Sequence, residues 1–237
     1  MRILLVHVHP KAEGTTRRHY ASWQLAGYDR IVGITTEGGG CYWPNNDTVA
    51  IGPNKYIEGA HLCNRLIRTF EYGVNQGASE ICVIEHDTVF FKPMPFPFPV
   101  GFVMNWTGGN VKPWKCPRFA HNPWHLDVAT AKKVIRLGDI LIKMGEIEGG
   151  NPDLFLGLIA HLLCKAHFEN YDGKPLKEAQ KPQNLYCTEV HDGLFKSYTR
   201  NALDHPEHLI EARQAYRDGA HAIHGIKRPE EISYIMS

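Results

Sequence analysis

Ile81-Cys82-Val83-Ile84 is a run of four apolar residues bounded by polar ones, Ser79-Glu80 before it and Glu85-His86-Asp87 after it. A short, bounded run with β-branched residues reads as a strand buried on both faces. Such a strand needs a layer on each side, so it constrains the rest of the chain. The preceding segment supplies one of them. From Tyr56 to Asn75, Leu62, Leu66, Phe70 and Val74 recur every fourth residue with Cys63 and Ile67 beside them, the pattern of an amphipathic helix closed by Gly77. Earlier, Arg2–Val8 and Tyr28–Thr35 read as strands, and Thr15–Leu25 as a helix capped by Thr15 or Thr16. Strand, helix, strand, helix, strand in this order predicts an α/β layer with a mostly parallel sheet.

The second half is more broken. Gly38-Gly39-Gly40 opens a loop expected to reach Asn54, and Pro93, Pro95, Pro97 and Pro99 at alternate positions exclude a central strand there. Val100–Trp106 reads as a strand, Gly108–Pro117 as a loop, and Phe119–Leu126 as a strand that Pro123 would confine to an edge. Asp127 caps a helix to about Met144, and Asn151 with Pro152 starts another to about His167. Residues 168–185 read as a polar loop, Asp204–Gly219 as a helix, and Ala220–His224 as a short strand.

The 237 residues suit one domain, 1–237, with 26 basic and 25 acidic side chains that give no electrostatic push toward nucleic acid or membrane. The six cysteines form no CxxC pair, and Cys63, Cys82 and Cys164 sit in apolar segments as expected of buried free thiols, which points to a reducing, cytoplasmic compartment. No apolar stretch reaches transmembrane length.

The chemistry is concentrated after Ile84. In an extended backbone alternate side chains share a face, so Glu85 and Asp87 point the same way at the end of a buried strand. Two carboxylates there build negative potential that a hard divalent cation, Mg²⁺ or Mn²⁺, relieves through oxygen ligands. Glu85-His86-Asp87, with its apolar lead-in, resembles the Asp-x-Asp motif of glycosyltransferases of the GT-A fold, with Glu in the first position where the family has Asp. A second stretch, His224-Gly225-Ile226-Lys227, is similar to the C-terminal His-Gly-x-Lys motif of some GT-A families, glycogenin-like ones among them.

The resemblance implies a Rossmann-like, three-layer GT-A domain in which 1–100 form a nucleotide-binding half and 101–237 an acceptor half with a closing metal loop. It implies Mn²⁺ or Mg²⁺ on Asp87, His224 and Glu85, with Lys227 against the diphosphate of a UDP- or GDP-sugar. By the same resemblance Glu85 orients ribose or metal water, His7 and His9 line the base and ribose pocket, Lys55 and Arg65 face the phosphates, and Asp153 deprotonates an acceptor hydroxyl. Asp127, His125 and Asp192 rival Asp153. Trp106, Trp114, Trp124, Asn105 and Asn122 fall where an acceptor would lie; glycan, lipid, protein and nucleobase acceptors all stay open. Two other classes compete: a metal-dependent hydrolase built on His7-x-His9, whose rings would share a strand face, and a non-catalytic nucleotide-sugar binding protein.

Overall fold

The strand β1 (Arg2–His7) lies between two parallel neighbours, β2 (Arg30–Thr35) and β4 (Glu80–Glu85), near the middle of a seven-stranded sheet. The computed structural model describes residues 1–52, 60–96, 101–104, 109–111, 114–116, 120–144, 152–164, 186–187, 195–197 and 206–237. With β3 (Thr48–Ala50), β6 (Gly101–Met104), β9 (Ala120–Asp127) and β10 (Tyr186–Cys187), the strand order is β10-β6-β9-β4-β1-β2-β3. Every adjacent pair is parallel except the two that β9 makes, so β9 alone runs against the rest.

The period of two along each strand sorts its side chains into two cores. Ile81 and Val83 join Ile3, Leu5, Val32 and Ile34 under α2 (Ala60–Asn75), α3 (Val128–Lys143) and α4 (Pro152–Cys164), where Leu66, Ile67, Phe70, Val134, Phe155 and Ile159 are buried. Cys82 and Ile84 join Leu4, Val6 and Ile31 on the other face with Trp23 of α1 (Glu13–Leu25), Trp43 and Met94. All four residues of the Ile81–Ile84 run have no exposed surface, as the run predicts. The chain is thus a mixed α/β fold on a mostly parallel central sheet. Cys63 and Cys82 are buried free thiols.

A smaller sheet decides where the end of the chain goes. β5 (Thr88–Phe90) starts directly after Asp87 and pairs antiparallel with β12 (Ala222–His224), which pairs parallel with β11 (Phe195–Ser197). Val89, Ile223 and Ile226 pack there against Ala212 of the helix Pro206–Arg217 and Ile235 of the helix Pro229–Met236.

Several expectations change. Pro123 does not push β9 to an edge: β9 lies between β4 and β6, because Val103 pairs with His121 and Phe102 with Trp124, leaving Asn122 and Pro123 in a register shift that needs no ladder hydrogen bond. Thr15 and Thr16 do not cap α1. A 3₁₀ turn, Pro10–Ala12, precedes the helix; His9 caps that turn by accepting from the Lys11 N–H, and Thr16 is buried inside the helix. The glycine-led loop contains β3, and the stretch expected as a loop before Pro117 contains an antiparallel pair, β7 (Gly109–Val111) and β8 (Trp114–Cys116). The C-terminal helix Pro229–Met236 has no counterpart in the sequence reading, its eight residues being too few to set a period. The start of the predicted 56–75 helix, the side chain of Cys164, and the 168–185 loop lie outside the described residues. Asp127 does cap α3, its Oδ1 accepting the Thr130 N–H at 2.6 Å.

Candidate functional site

Strand order reverses between β1 and β4: β2 follows β1 on one side, and β4 lies on the other. Crossovers therefore leave opposite faces at this point, and their loops part to form a crevice beyond the carboxyl ends of the two strands. His7 ends β1, Glu85 ends β4, and the two are register partners. A cavity of about 150 Å³ opens there, lined by His7, His9, Arg65, Glu85, His86 and Trp124 among others, with Pro152 of α4 also on its wall.

The antiparallel β5–β12 pairing sets His224 opposite Thr88. The residues after β12 therefore run beside the residue before β5. The Gly225 and Ile226 N–H groups both donate to the Asp87 carbonyl, at 3.1 and 2.9 Å. Gly225 has φ +96°, a left-handed conformation that glycine adopts without penalty and that aims both amides at one oxygen. His224 Nε2 then stands 3.1 Å from Asp87 Oδ1 and 3.2 Å from Glu85 Oε2, and Lys227 Nζ 3.9 Å from Asp87 Oδ2. Among the described residues, Glu85, Asp87 and His224 form the one group of His, Cys, Asp and Glu side chains that could hold a metal ion, with ligand atoms within 4.8 Å of one another.

Asp87 is buried, and its Oδ1 accepts no hydrogen bond despite the ion-pair contact with His224. Burial acts to raise its pKa, but the nearby positive charges, His224 foremost and then His86 and Lys227, hold the carboxyl well below the usual range. Burial acts in the opposite sense on His224, and the attraction of Asp87, with the hydrogen bond to Glu85, outweighs it, pushing His224 up to about 10. Without a cation, the imidazolium thus serves as the counter-charge of the two carboxylates.

The last loop is tied down from two directions. Arg18 donates to the Lys227 carbonyl at 2.9 Å, and the fully buried Glu231 accepts from the Lys227 and Arg228 N–H groups at 2.6 and 2.9 Å. Neither residue carries a signal in the sequence beyond an ordinary charged position on a helix.

His7 and His9 both line the cavity, but each has a partner elsewhere: His7 Nε2 lies 2.9 Å from Thr69 Oγ1, and His9 Nδ1 accepts from the Lys11 N–H at 3.1 Å. Burial first, then the positive charges of Arg65 and His86, keep His7 well below its ordinary value. Arg65 is buried, lines the cavity and donates to the Ile34 carbonyl at 2.9 Å. Asp153 lies half-buried in the first turn of α4, beside the cavity-lining Pro152. Asp127 is occupied as a helix cap, and His125 is fully buried with Nε2 3.1 Å from Glu80 Oε2 at the far end of β4. Trp124 lines the cavity, and Asn122 accepts from Thr88 Oγ1 at 3.1 Å. Lys55, Asn105, Trp106 and Asp192, like the side chain of Trp114, lie outside the described residues.

His19, on α1, is fully buried behind the motif, with Nδ1 3.0 Å from the His86 carbonyl. Burial, opposed by that hydrogen bond, lowers its pKa to about 4, so the ring is neutral and Nδ1–H donates. Between about pH 6.5 and 4 the unfolded chain takes up a proton that folded His19 refuses. Its contribution is therefore complete above about 6.5 and lost as pH falls toward 4. At pH 5 the expected loss is about 2 kcal/mol, and His7 adds in the same sense. His224, raised, contributes stability below 6.5 that fades as pH climbs toward 10. Urea midpoints of the metal-free protein should therefore peak near neutral pH, and a flat profile from pH 7 to 5 would contradict a neutral buried His19.

No protein-family model matches the chain, and no curated protein matches it. Solved structures do. One is a glycosyltransferase involved in the glycosylation of the major capsid of PBCV-1, at 11% identity and TM-score 0.44, covering 99% of this chain and 98% of that one. Another is the apo-form glycosyltransferase GlyE of Streptococcus pneumoniae TIGR4, at 10% identity and TM-score 0.46, covering 100% of this chain and 60% of that one. The functional reading rests on the side chains instead. No helix among the described residues is long and apolar enough to cross a membrane.

Proposed function

We propose that the protein transfers a sugar from a nucleotide-diphosphate donor, a UDP- or GDP-sugar, to an acceptor hydroxyl, with Mn²⁺ or Mg²⁺ at Glu85, Asp87 and His224. The observation that carries this is a convergence. Two carboxylates from the end of β4 meet an imidazole and an ammonium from the closing loop, and one of them, Glu85, also lines the cavity at the strand-order reversal.

The donor set suits the cation. Carboxylate oxygens with one imidazole match Mn²⁺, and the buried Asp87 Oδ1 lacks the hydrogen bond that an oxygen in its position ordinarily has. When bound, the cation neutralises diphosphate oxygens and stabilises the departing nucleoside diphosphate. Lys227, half of whose side chain is exposed, extends from the same loop to add positive charge on the leaving group. Glu85, 43% exposed at its side chain, is placed to orient ribose or a metal-bound water. His7, His9 and Arg65 line the space for base and ribose. Asp153, next to the cavity-lining Pro152, is the residue we assign to deprotonate the acceptor hydroxyl. In this reading residues 1–100 form the donor half and 101–237 the acceptor half of one domain, and the loop 224–228 returns to complete the donor side.

The test is cation-dependent nucleotide binding. At saturating UDP or GDP with Mn²⁺, the melting temperature should rise by roughly 5–10 °C, as expected at about 100 times Kd for a chain of this size. EDTA should erase the rise. Nucleotide binding that persists unchanged in EDTA would sink the cation-bridged diphosphate.

A further inference from the structure

One face of α1 is built onto the turn that carries the carboxylates. His19 Nδ1–H donates to the His86 carbonyl at 3.0 Å, Trp23 Nε1–H donates to the Thr88 carbonyl at 2.7 Å, and the Phe90 N–H donates to Ser22 Oγ at 3.3 Å. Residues 19, 22 and 23 stand at i, i+3 and i+4, so they share one side of the helix. They meet the backbone of residues 86 to 90 in register.

The three bonds are not equivalent. Trp23 and Ser22 hold β5, which the β5–β12 ladder also holds. His19 alone of the three meets the peptide that leads into Asp87. The peptide that leaves Asp87 is gripped from the other side, where its carbonyl accepts from the Gly225 and Ile226 N–H groups. With the amide planes on both sides of a residue fixed, its two backbone dihedrals have no freedom left, and the direction in which its side chain leaves the backbone is set.

We infer that His19 is a positioning residue that aims the Asp87 carboxylate at the cation site. The inference rests on the reading of Glu85, Asp87 and His224 as cation ligands. The competing explanation is a core histidine that merely satisfies a buried carbonyl. Burial alone favours an apolar side chain here, since His19 has no exposed surface and its Nε2 has no hydrogen-bond partner. What remains to distinguish imidazole from phenyl at this position is the bond to His86. Partners behind a ligand that fix its orientation commonly change metal affinity by about 10- to 100-fold when removed.

The experiment measures Mn²⁺ affinity by titration calorimetry at pH 7.5, well below each protein's melting temperature, for the full chain and three variants. His19→Phe keeps the ring that sits edge-on to Trp23 and deletes the donor. His19→Asn keeps a donor at the place of Nδ1, and His19→Gln moves it one methylene further out. His19→Phe should weaken Mn²⁺ binding by about 10- to 100-fold, and His19→Asn should restore it to near the wild-type value whatever its melting temperature. Unchanged Kd in folded His19→Phe, or no recovery in His19→Asn, overturns the inference while leaving the cation site standing. Wild-type protein that binds no Mn²⁺ overturns both. Should His19→Phe not fold, Asn against Gln carries the comparison: tighter binding by Asn supports the inference, and equal binding overturns it.

Discussion

On the proposed function, Asp87→Asn is expected to lower Mn²⁺-dependent sugar transfer by at least about 100-fold, a loss no smaller than that seen when groups merely supporting a metal ligand are removed. The amide keeps the size of the carboxylate but offers the cation no charge. The backbone of the turn should survive, because the bonds from the Gly225 and Ile226 N–H groups go to the main-chain carbonyl of Asp87. Removing one partner of a buried ion pair is damaging when the other stays charged. Here Asp87 is the foremost influence raising His224, and Glu85, 3.2 Å away, remains as a partner for the imidazole once the Asp87 charge is gone. The variant should therefore melt within a few degrees of the wild type in the absence of metal. Added Mn²⁺ should stabilise the wild type and not the variant. Assays of turnover and melting with and without Mn²⁺ check both halves, and full activity in Asp87→Asn would remove this residue from the site.

The second large effect is structural. Trp23→Ala should cost about 4 kcal/mol, the range for deleting a buried Trp, out of a total stability of about 5–15 kcal/mol for a typical domain. Trp23 has no exposed surface, stacks on Trp43 with ring centroids 5.6 Å apart, and meets Tyr20 edge-on. Its loss also strips the Thr88 carbonyl of the indole donor. Trp23→Phe should lie between, since a ring remains but the N–H does not, at a cost of about 2 kcal/mol. Urea unfolding of the three proteins orders them: wild type, Phe, Ala. A Trp23→Ala variant within 1 kcal/mol of the wild type would mean that this face of the sheet is packed far more loosely than the stacked rings imply.

The two halves of the site differ in how far they can be read from the chain. Glu85 and Asp87 are local: they follow a buried strand, alternate along its backbone, and must emerge together at its end. The Tyr56–Asn75 periodicity likewise places Arg65 on a helix that packs against that strand. His19, Glu231 and Arg18 are different. Each looks like an unremarked residue on a short helix, and each acquires its role only through a backbone group distant in sequence, the His86 carbonyl, the Lys227 amide and the Lys227 carbonyl. Pro123 misleads for the same reason. A missing donor forbids an ordinary central position, but a register shift between two strands, invisible in either one, removes the demand for a bond.

By itself the sequence determined the layers: bounded apolar runs must be buried on both faces, and the amphipathic helix between them must cover one. It determined too that negative charge collects where the central run ends, because strand geometry is local. Only the tertiary structure decided what meets that charge. An antiparallel pairing of two three-residue strands, Thr88–Phe90 and Ala222–His224, which neither segment marks in the sequence, sets His224 against Thr88 and turns the closing loop onto Asp87. Pairing of that kind depends on the packing of Val89, Ile223, Ile226 and Ile235 into one small core, a collective outcome that no local pattern encodes.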